Sequence, residues 1–145
     1  DEDWAFAVEQ YGQAIAKLPE GHSDVSRVLR LERAKAQMNA QELPSAARDL
    51  ESLVDELDGD ASAPSQLKAE GRRALANSQF YMTWLLRLEG KTRAEWEPQI
   101  EAARQNYRLL AESTDNATEK QDLEAAIRLE RLELEDLQGL PLPSQ

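Results

Sequence analysis

The sequence predicts an all-α fold of about six antiparallel helices, stacked as successive helical hairpins. Good helix formers such as alanine, leucine, glutamate and arginine are abundant, and β-branched residues are scarce. Apolar residues recur with the period of an amphipathic helix along the chain, and no segment alternates like a strand for long. We therefore predict a single helical domain over residues 1–138 and an extended, proline-containing tail over 139–145.

The first three helices are recognised by apolar stripes and by the residues at their ends. The first carries a stripe that starts at Trp4 and stops at Pro19, a helix breaker. The second begins at Asp24, a residue type that caps helix N-termini. The third has Pro44 in its first turn, where the missing amide hydrogen of proline is tolerated. The predicted bounds are 3–18, 24–40 and 44–57.

The last three helices follow the clearest loop in the chain, residues 58–65. The fourth is long and ends at Gly90, since glycine is favoured just past a helix end. Phe80 and Trp84 make its last turns apolar nearly all round, so we expect it to be covered on more than one side. The sixth ends at Gly139. The predicted bounds are 64–88, 92–112 and 117–137.

The composition excludes several function classes. The absence of cysteine excludes disulfides, thiolate metal sites and thiol nucleophiles, and the single histidine, His22, argues against histidine triads and multi-histidine metal sites. The net charge of −11 repels phosphate backbones, and no apolar run is long enough for a membrane helix. We therefore predict a protein that is not an enzyme, holds no cofactor or metal, and neither binds nucleic acid nor inserts into a membrane.

A small residue followed by a large one four positions later recurs in three of the predicted helices. The small residue lets a neighbouring helix approach closely, and the large one fills the groove beyond it. A unit of this kind buries its apolar face by stacking on the next unit. The three occurrences are Ala7/Tyr11/Ala14, Ala46/Leu50/Leu53 and Ala103/Tyr107/Leu110.

Residues 3–19 resemble the second helix of a tetratricopeptide repeat (TPR), and residues 31–46 resemble a complete hairpin of that family. Ala34 stands where a small residue meets the partner helix, whereas Gln41 occupies the turn position usually held by glycine. The resemblance implies a right-handed α-solenoid with degenerate, elongated repeats. A generic antiparallel helical bundle is the alternative, since small-residue spacing also serves ordinary bundles.

The TPR resemblance implies that the first helix of each hairpin lines an inner, concave groove. The residues placed there as partner contacts are Leu31, Lys35, Met38, Asn39, Lys68 and Arg72. A groove of mixed basic and apolar character suits an acidic or carboxylate-ended peptide. The alternative is that these bases pair with nearby carboxylates on solvated faces, which is the commoner use of surface charge.

The predicted function is a non-catalytic protein–protein interaction scaffold that binds a partner segment on a concave helical surface. One alternative is a self-assembly domain, in which the exposed face of Trp4 contacts another copy and forms a homodimer. A second is a small-molecule-binding helical bundle built on Phe80, Tyr81 and Trp84, although aromatic residues at helical spacing usually form core. Because the chain starts at Asp1, as it does after signal-peptide removal, an exported bacterial protein is favoured over a cytoplasmic one.

Overall fold

The computed structural model describes residues 2–113, 117–132 and 143, and within them the chain is helical with no strand. The all-α prediction is confirmed, and the helix bounds agree with prediction to within two residues up to the start of the last helix. Residues 133–137 of the predicted sixth helix lie outside the described residues, as does the predicted tail apart from Pro143. The helices are α1 (Glu2–Ala16), α2 (Ser23–Asn39), α3 (Leu43–Asp58), α4 (Ser65–Leu88), α5 (Arg93–Ser113) and α6 (Ala117–Arg131).

The chain divides into two compact units, which we call unit 1 (Asp1–Ala74) and unit 2 (Leu75–Gln145). The division falls inside α4. Because α4 is one continuous helix that contributes to both units, the single domain over 1–138 stays a prediction.

In unit 1, α2 packs against both α1 and α3. The apolar side of α3 is fully buried, including Ala46, Leu50 and Leu53 of the small–large pattern. Gly71 of α4 lies against α3, since a Cβ atom added there would be 3.4 Å from Leu57 Cδ1. This close approach is the role that the sequence pattern assigns to a small residue.

The turn between α2 and α3 depends on a residue in the left-handed region. Gln41 has φ of +64°, a conformation that glycine adopts most easily. The Glu42 amide donates to the Gln37 carbonyl at 2.8 Å, and the Ala40 amide donates to the Ala36 carbonyl at 2.9 Å. The first of these is the six-residue closure typical of a helix C-terminus, and it accounts for glycine being usual at this turn.

In unit 2, α5 packs against α6, and side-chain hydrogen bonds join α5 to α4. The Tyr107 hydroxyl donates to Asn77 Oδ1 at 2.6 Å, and Asn106 Nδ2 donates to Gln79 Oε1 at 2.9 Å. All four of these residues are buried. Buried polar groups that are hydrogen-bonded help to define one packing arrangement of the helices.

Candidate functional site

The arginines at the start of α2 are committed to carboxylates of α3 and of the loop that follows it. Arg27 is buried, and it donates through Nε to Glu56 Oε1 at 3.2 Å and through Nη1 to Asp60 Oδ2 at 2.7 Å. Arg30 Nη1 donates to the other oxygen of Glu56. These bonds hold α2 and α3 together and leave little basic charge for a ligand.

The pKa values of both carboxyl groups show that they stay ionised. The pKa of Asp60 lies well below its ordinary value, because Ser62 donates side-chain and backbone hydrogen bonds to it and Arg27 adds a further bond. The pKa of Glu56 is lowered by its hydrogen bonds from Arg30 and, less strongly, from Arg27. Conversely, the bond to Asp60 and then that to Glu56 raise the pKa of Arg27. Each charge is thus stabilised within the unit.

Ion pairs also involve two of the cations that the TPR resemblance places in the groove, Lys35 and Arg72, and the neighbouring Arg33. These pairs are Arg33–Asp49 at 3.9 Å, Lys35–Glu32 at 3.3 Å and Arg72–Asp58 at 2.6 Å. Among the described residues, Lys68 makes no ion pair, and its side chain is half-buried. The pairing that the sequence left open as the alternative is therefore present around Lys35 and Arg72.

The remaining predicted contact residues of α2 differ in exposure. Leu31 is 1% exposed, so its side chain is packed in the core of unit 1. Met38 is half-buried. Asn39 is exposed, and its Nδ2 donates to the Lys35 carbonyl at 3.0 Å. Lys35, Met38 and Asn39 thus lie within two turns of one helix, whereas Leu31 has almost no surface to offer.

The least buried helix of unit 1 is α1. None of its 15 residues is buried. Val8, Tyr11 and Ile15 are half-buried and follow the helical period, so they mark the side that packs on α2. Trp4, which the sequence singled out as an exposed terminal contact, is 42% exposed.

Phe6 was missed by the pattern analysis and is the most exposed large apolar residue of unit 1, at 63%. It lies two positions after Trp4, off the stripe that packs on α2. On the helical period it shares the outward side with Glu2 and Glu9, both of which are exposed. A sequence signal for Phe6 was available. It is an aromatic residue off the apolar stripe, with carboxylates one turn before and one turn after it.

Two further exposed apolar residues lie in the first two turns of α2. Val25 and Val28 are each 47% exposed. Asp24 is adjacent to Val25 and one turn before Val28, and it makes no ion pair among the described residues. We use the name α1–α2 surface for the exposed large apolar residues in the described part of unit 1, which are Trp4, Phe6, Val25 and Val28. Trp4 and Phe6 lie on different sides of α1.

The aromatic residues of unit 2 mostly form core. Phe80 and Tyr107 are fully buried and Trp96 is 6% exposed, while Tyr81 and Trp84 are half-buried. Burial raises the pKa of the Tyr107 hydroxyl, with smaller contributions from nearby carboxylates, so Tyr107 stays protonated as the donor to Asn77. It is thus suited to a structural hydrogen bond rather than to proton transfer near neutral pH.

Two arginines of unit 2 connect Trp96 to the end of α6. The guanidinium carbons of Arg87 and Arg93 lie 4.5 Å and 4.9 Å from the centre of the Trp96 ring. Arg87 Nη1 donates to the Leu129 carbonyl at 2.7 Å, and Arg93 Nη2 donates to the Glu130 carbonyl at 3.4 Å. Both thereby bind carbonyls in the last turn of the described α6.

No family model, no curated protein and no solved structure matches this chain. The TPR resemblance, the solenoid it implies and the exported location therefore stay predictions. In the described ranges, no helix is long and apolar enough to cross a membrane. Over the same ranges, no group of three or more His, Cys, Asp or Glu side chains is placed to hold a metal ion.

Proposed function

We propose that the chain is a non-catalytic protein–protein interaction module, and that its partner contacts the α1–α2 surface. The observation that carries this proposal is that α1, a helix with aromatic residues on two sides, has no buried residue. Exposed apolar residues scattered singly are ordinary, but a helix that leaves Trp4 and Phe6 open concentrates apolar area in one element. Aromatic side chains are also the ones that most often dominate binding energy at interfaces.

The proposed contact surface differs from the groove that the TPR resemblance implies. Leu31 is packed in the core, and Lys35 and Arg72 are in ion pairs, so these residues offer less to a partner. Met38, Asn39 and Lys68 remain available as additional contacts. The concave groove is thus the second surface to test, after the α1–α2 surface.

Photo-crosslinking from position 6 tests the proposed function. The chain carrying Phe6→p-benzoylphenylalanine is irradiated in extracts of the source cells, and the chain carrying the same group at Leu109, an exposed residue of α5, is the matched control. We expect a product with a different protein from position 6, lost on adding Trp4→Ala and Val28→Ser, and none from position 109. Equal products from both positions would contradict the proposal.

Self-assembly is the competing function, since exposed Trp4 also suits contact with a second copy. Sedimentation velocity over a wide concentration range separates the two. A monomer agrees with an interaction module. A dimer that Trp4→Ala or Phe6→Ala dissociates would instead assign the α1–α2 surface to self-association.

A further inference from the structure

We infer that the α1–α2 surface binds a basic amphipathic helix, a segment with apolar residues on one side and lysine or arginine beside them. This inference rests on the proposed function and names the chemical class of the partner. It reverses the charge of the partner that the sequence alone predicts. Three observations lead to it: the charges around the exposed apolar residues, the ion pairs that the α2 arginines make with α3 and its following loop, and the length of α1.

The exposed apolar residues stand beside carboxylates that have no cationic partner among the described residues. Phe6 has Glu2 and Glu9 one turn away on its own side of α1, and Val25 and Val28 have Asp24 within one turn. None of these three carboxylates is in an ion pair in the described ranges. Residues 2–25 hold five acidic side chains against one basic side chain, Lys17.

The cations of α2 that could offset this charge are already in ion pairs. Arg27, Arg30 and Arg33 bind carboxylates of α3 and its following loop, so their positive charge is already neutralised at the α2–α3 contact. Lys35 is paired with Glu32 on its own helix. An acidic peptide would therefore be repelled by Glu2 and Glu9 of α1, which are in no ion pair in the described ranges, whereas a basic one would meet complementary charge.

The shape of the surface suits a helix as the ligand. α1 has 15 residues, about four turns, and its outward side repeats at helical spacing through Glu2, Phe6 and Glu9. A partner helix places apolar residues and flanking cations at the same spacing. Its apolar residues would contact Phe6, and its lysines or arginines would bind Glu2 and Glu9, which share that side of α1.

Fluorescence anisotropy with labelled peptides tests this inference on the full chain. The probes are three peptides of about 14 residues, which span four helical turns. One has leucine and lysine in an amphipathic pattern, the second has glutamate in place of lysine, and the third scrambles the leucine and lysine order. We expect the first to bind at least about tenfold more tightly than the other two, and to weaken as salt screens the charges.

Two pairs of variants with matched controls locate the binding. Phe6→Ser should weaken the leucine–lysine peptide about tenfold, whereas Leu109→Ser, at another exposed apolar position, should leave it unchanged. The double variant Glu2→Gln with Glu9→Gln should weaken it about threefold or more at low salt. The control with the same change in net charge, Glu51→Gln with Glu89→Gln, should have no such effect. Circular dichroism of each variant verifies that the helices are retained.

Several results would overturn the inference. A glutamate peptide that binds as tightly as the lysine peptide would restore the acidic partner, and equal binding of the scrambled peptide would show attraction by net charge alone. Equal effects of Phe6→Ser and Leu109→Ser would remove the α1–α2 surface from the contact. If position 6 still crosslinks to another protein while none of the peptides binds, the proposed function stands and the basic class of partner is wrong.

Discussion

Replacing Gln41 by glycine should stabilise the protein, because the turn between α2 and α3 holds Gln41 at φ of +64°. A side chain in the left-handed region costs about 1–2 kcal/mol relative to glycine. Glycine in turn costs about 0.5–1 kcal/mol through the larger entropy of its unfolded chain. The difference predicts a gain of about 0–1.5 kcal/mol for Gln41→Gly. The exposed position adds no loss of packing.

Two control variants test whether the sign of the change in stability depends on φ at the substituted position. Ala40 precedes Gln41 and has φ of −85°, so Ala40→Gly should lose about 0.5–1 kcal/mol. Gly90 ends α4 with φ of +76°, and a Cβ atom there would contact nothing within 4 Å. The Lys91 amide donates to the Leu86 carbonyl at 3.0 Å, the same closure as at Gln41. Gly90→Gln should therefore destabilise by about the amount that Gln41→Gly stabilises.

Urea unfolding followed by circular dichroism measures all three variants, with the slope m compared to confirm that the same surface unfolds. A gain for Gln41→Gly with losses for Ala40→Gly and Gly90→Gln is the expected pattern. Destabilisation by Gln41→Gly as large as that by Ala40→Gly would refute the reasoning. It would mean that the turn does not hold Gln41 in the left-handed region in solution.

Three further changes test the packing of each unit. Gly71→Ala should raise the free energy of unfolding by about 0.5–1 kcal/mol, since the added Cβ meets α3 at ordinary contact distance. If urea unfolding shows a lower free energy of unfolding instead, α3 and α4 pack more tightly than this distance indicates. Tyr107→Phe should lower it by about 1–2 kcal/mol through loss of the bond to Asn77, and an unchanged midpoint would mean that this bond contributes nothing. The lowered pKa values of Glu56 and Asp60, both of which accept a hydrogen bond from Arg27, predict stability that is present at neutral pH and lost as the pH falls below about 4.5. Arg27→Met should therefore lower the thermal midpoint at pH 7 and flatten its acid decline, and parallel curves for variant and wild type would contradict this.

The helices could be predicted because their signals are local. The apolar period needs only residues three and four positions apart, and breakers such as Pro19 and Gly90 act on the adjoining turn. The buried sets of α3 and α5 likewise follow their stripes, as Leu50 and Tyr107 illustrate. The candidate surface was only half predictable. Trp4 was foreseen, whereas Phe6 lies off the stripe on which the prediction relied.

The sequence by itself determined that the chain is all-α and that no thiol chemistry is possible, since helix period and composition need no knowledge of packing. Which charges remain available to a partner was decided only by the tertiary structure. Arg27 binds Glu56 and Asp60, which are 29 and 33 positions away, and Arg30 binds Glu56 across 26 positions. Such pairs form when helix packing brings distant carboxylates within hydrogen-bond reach, so a basic stretch of sequence becomes a neutral helix contact and the open surface is acidic.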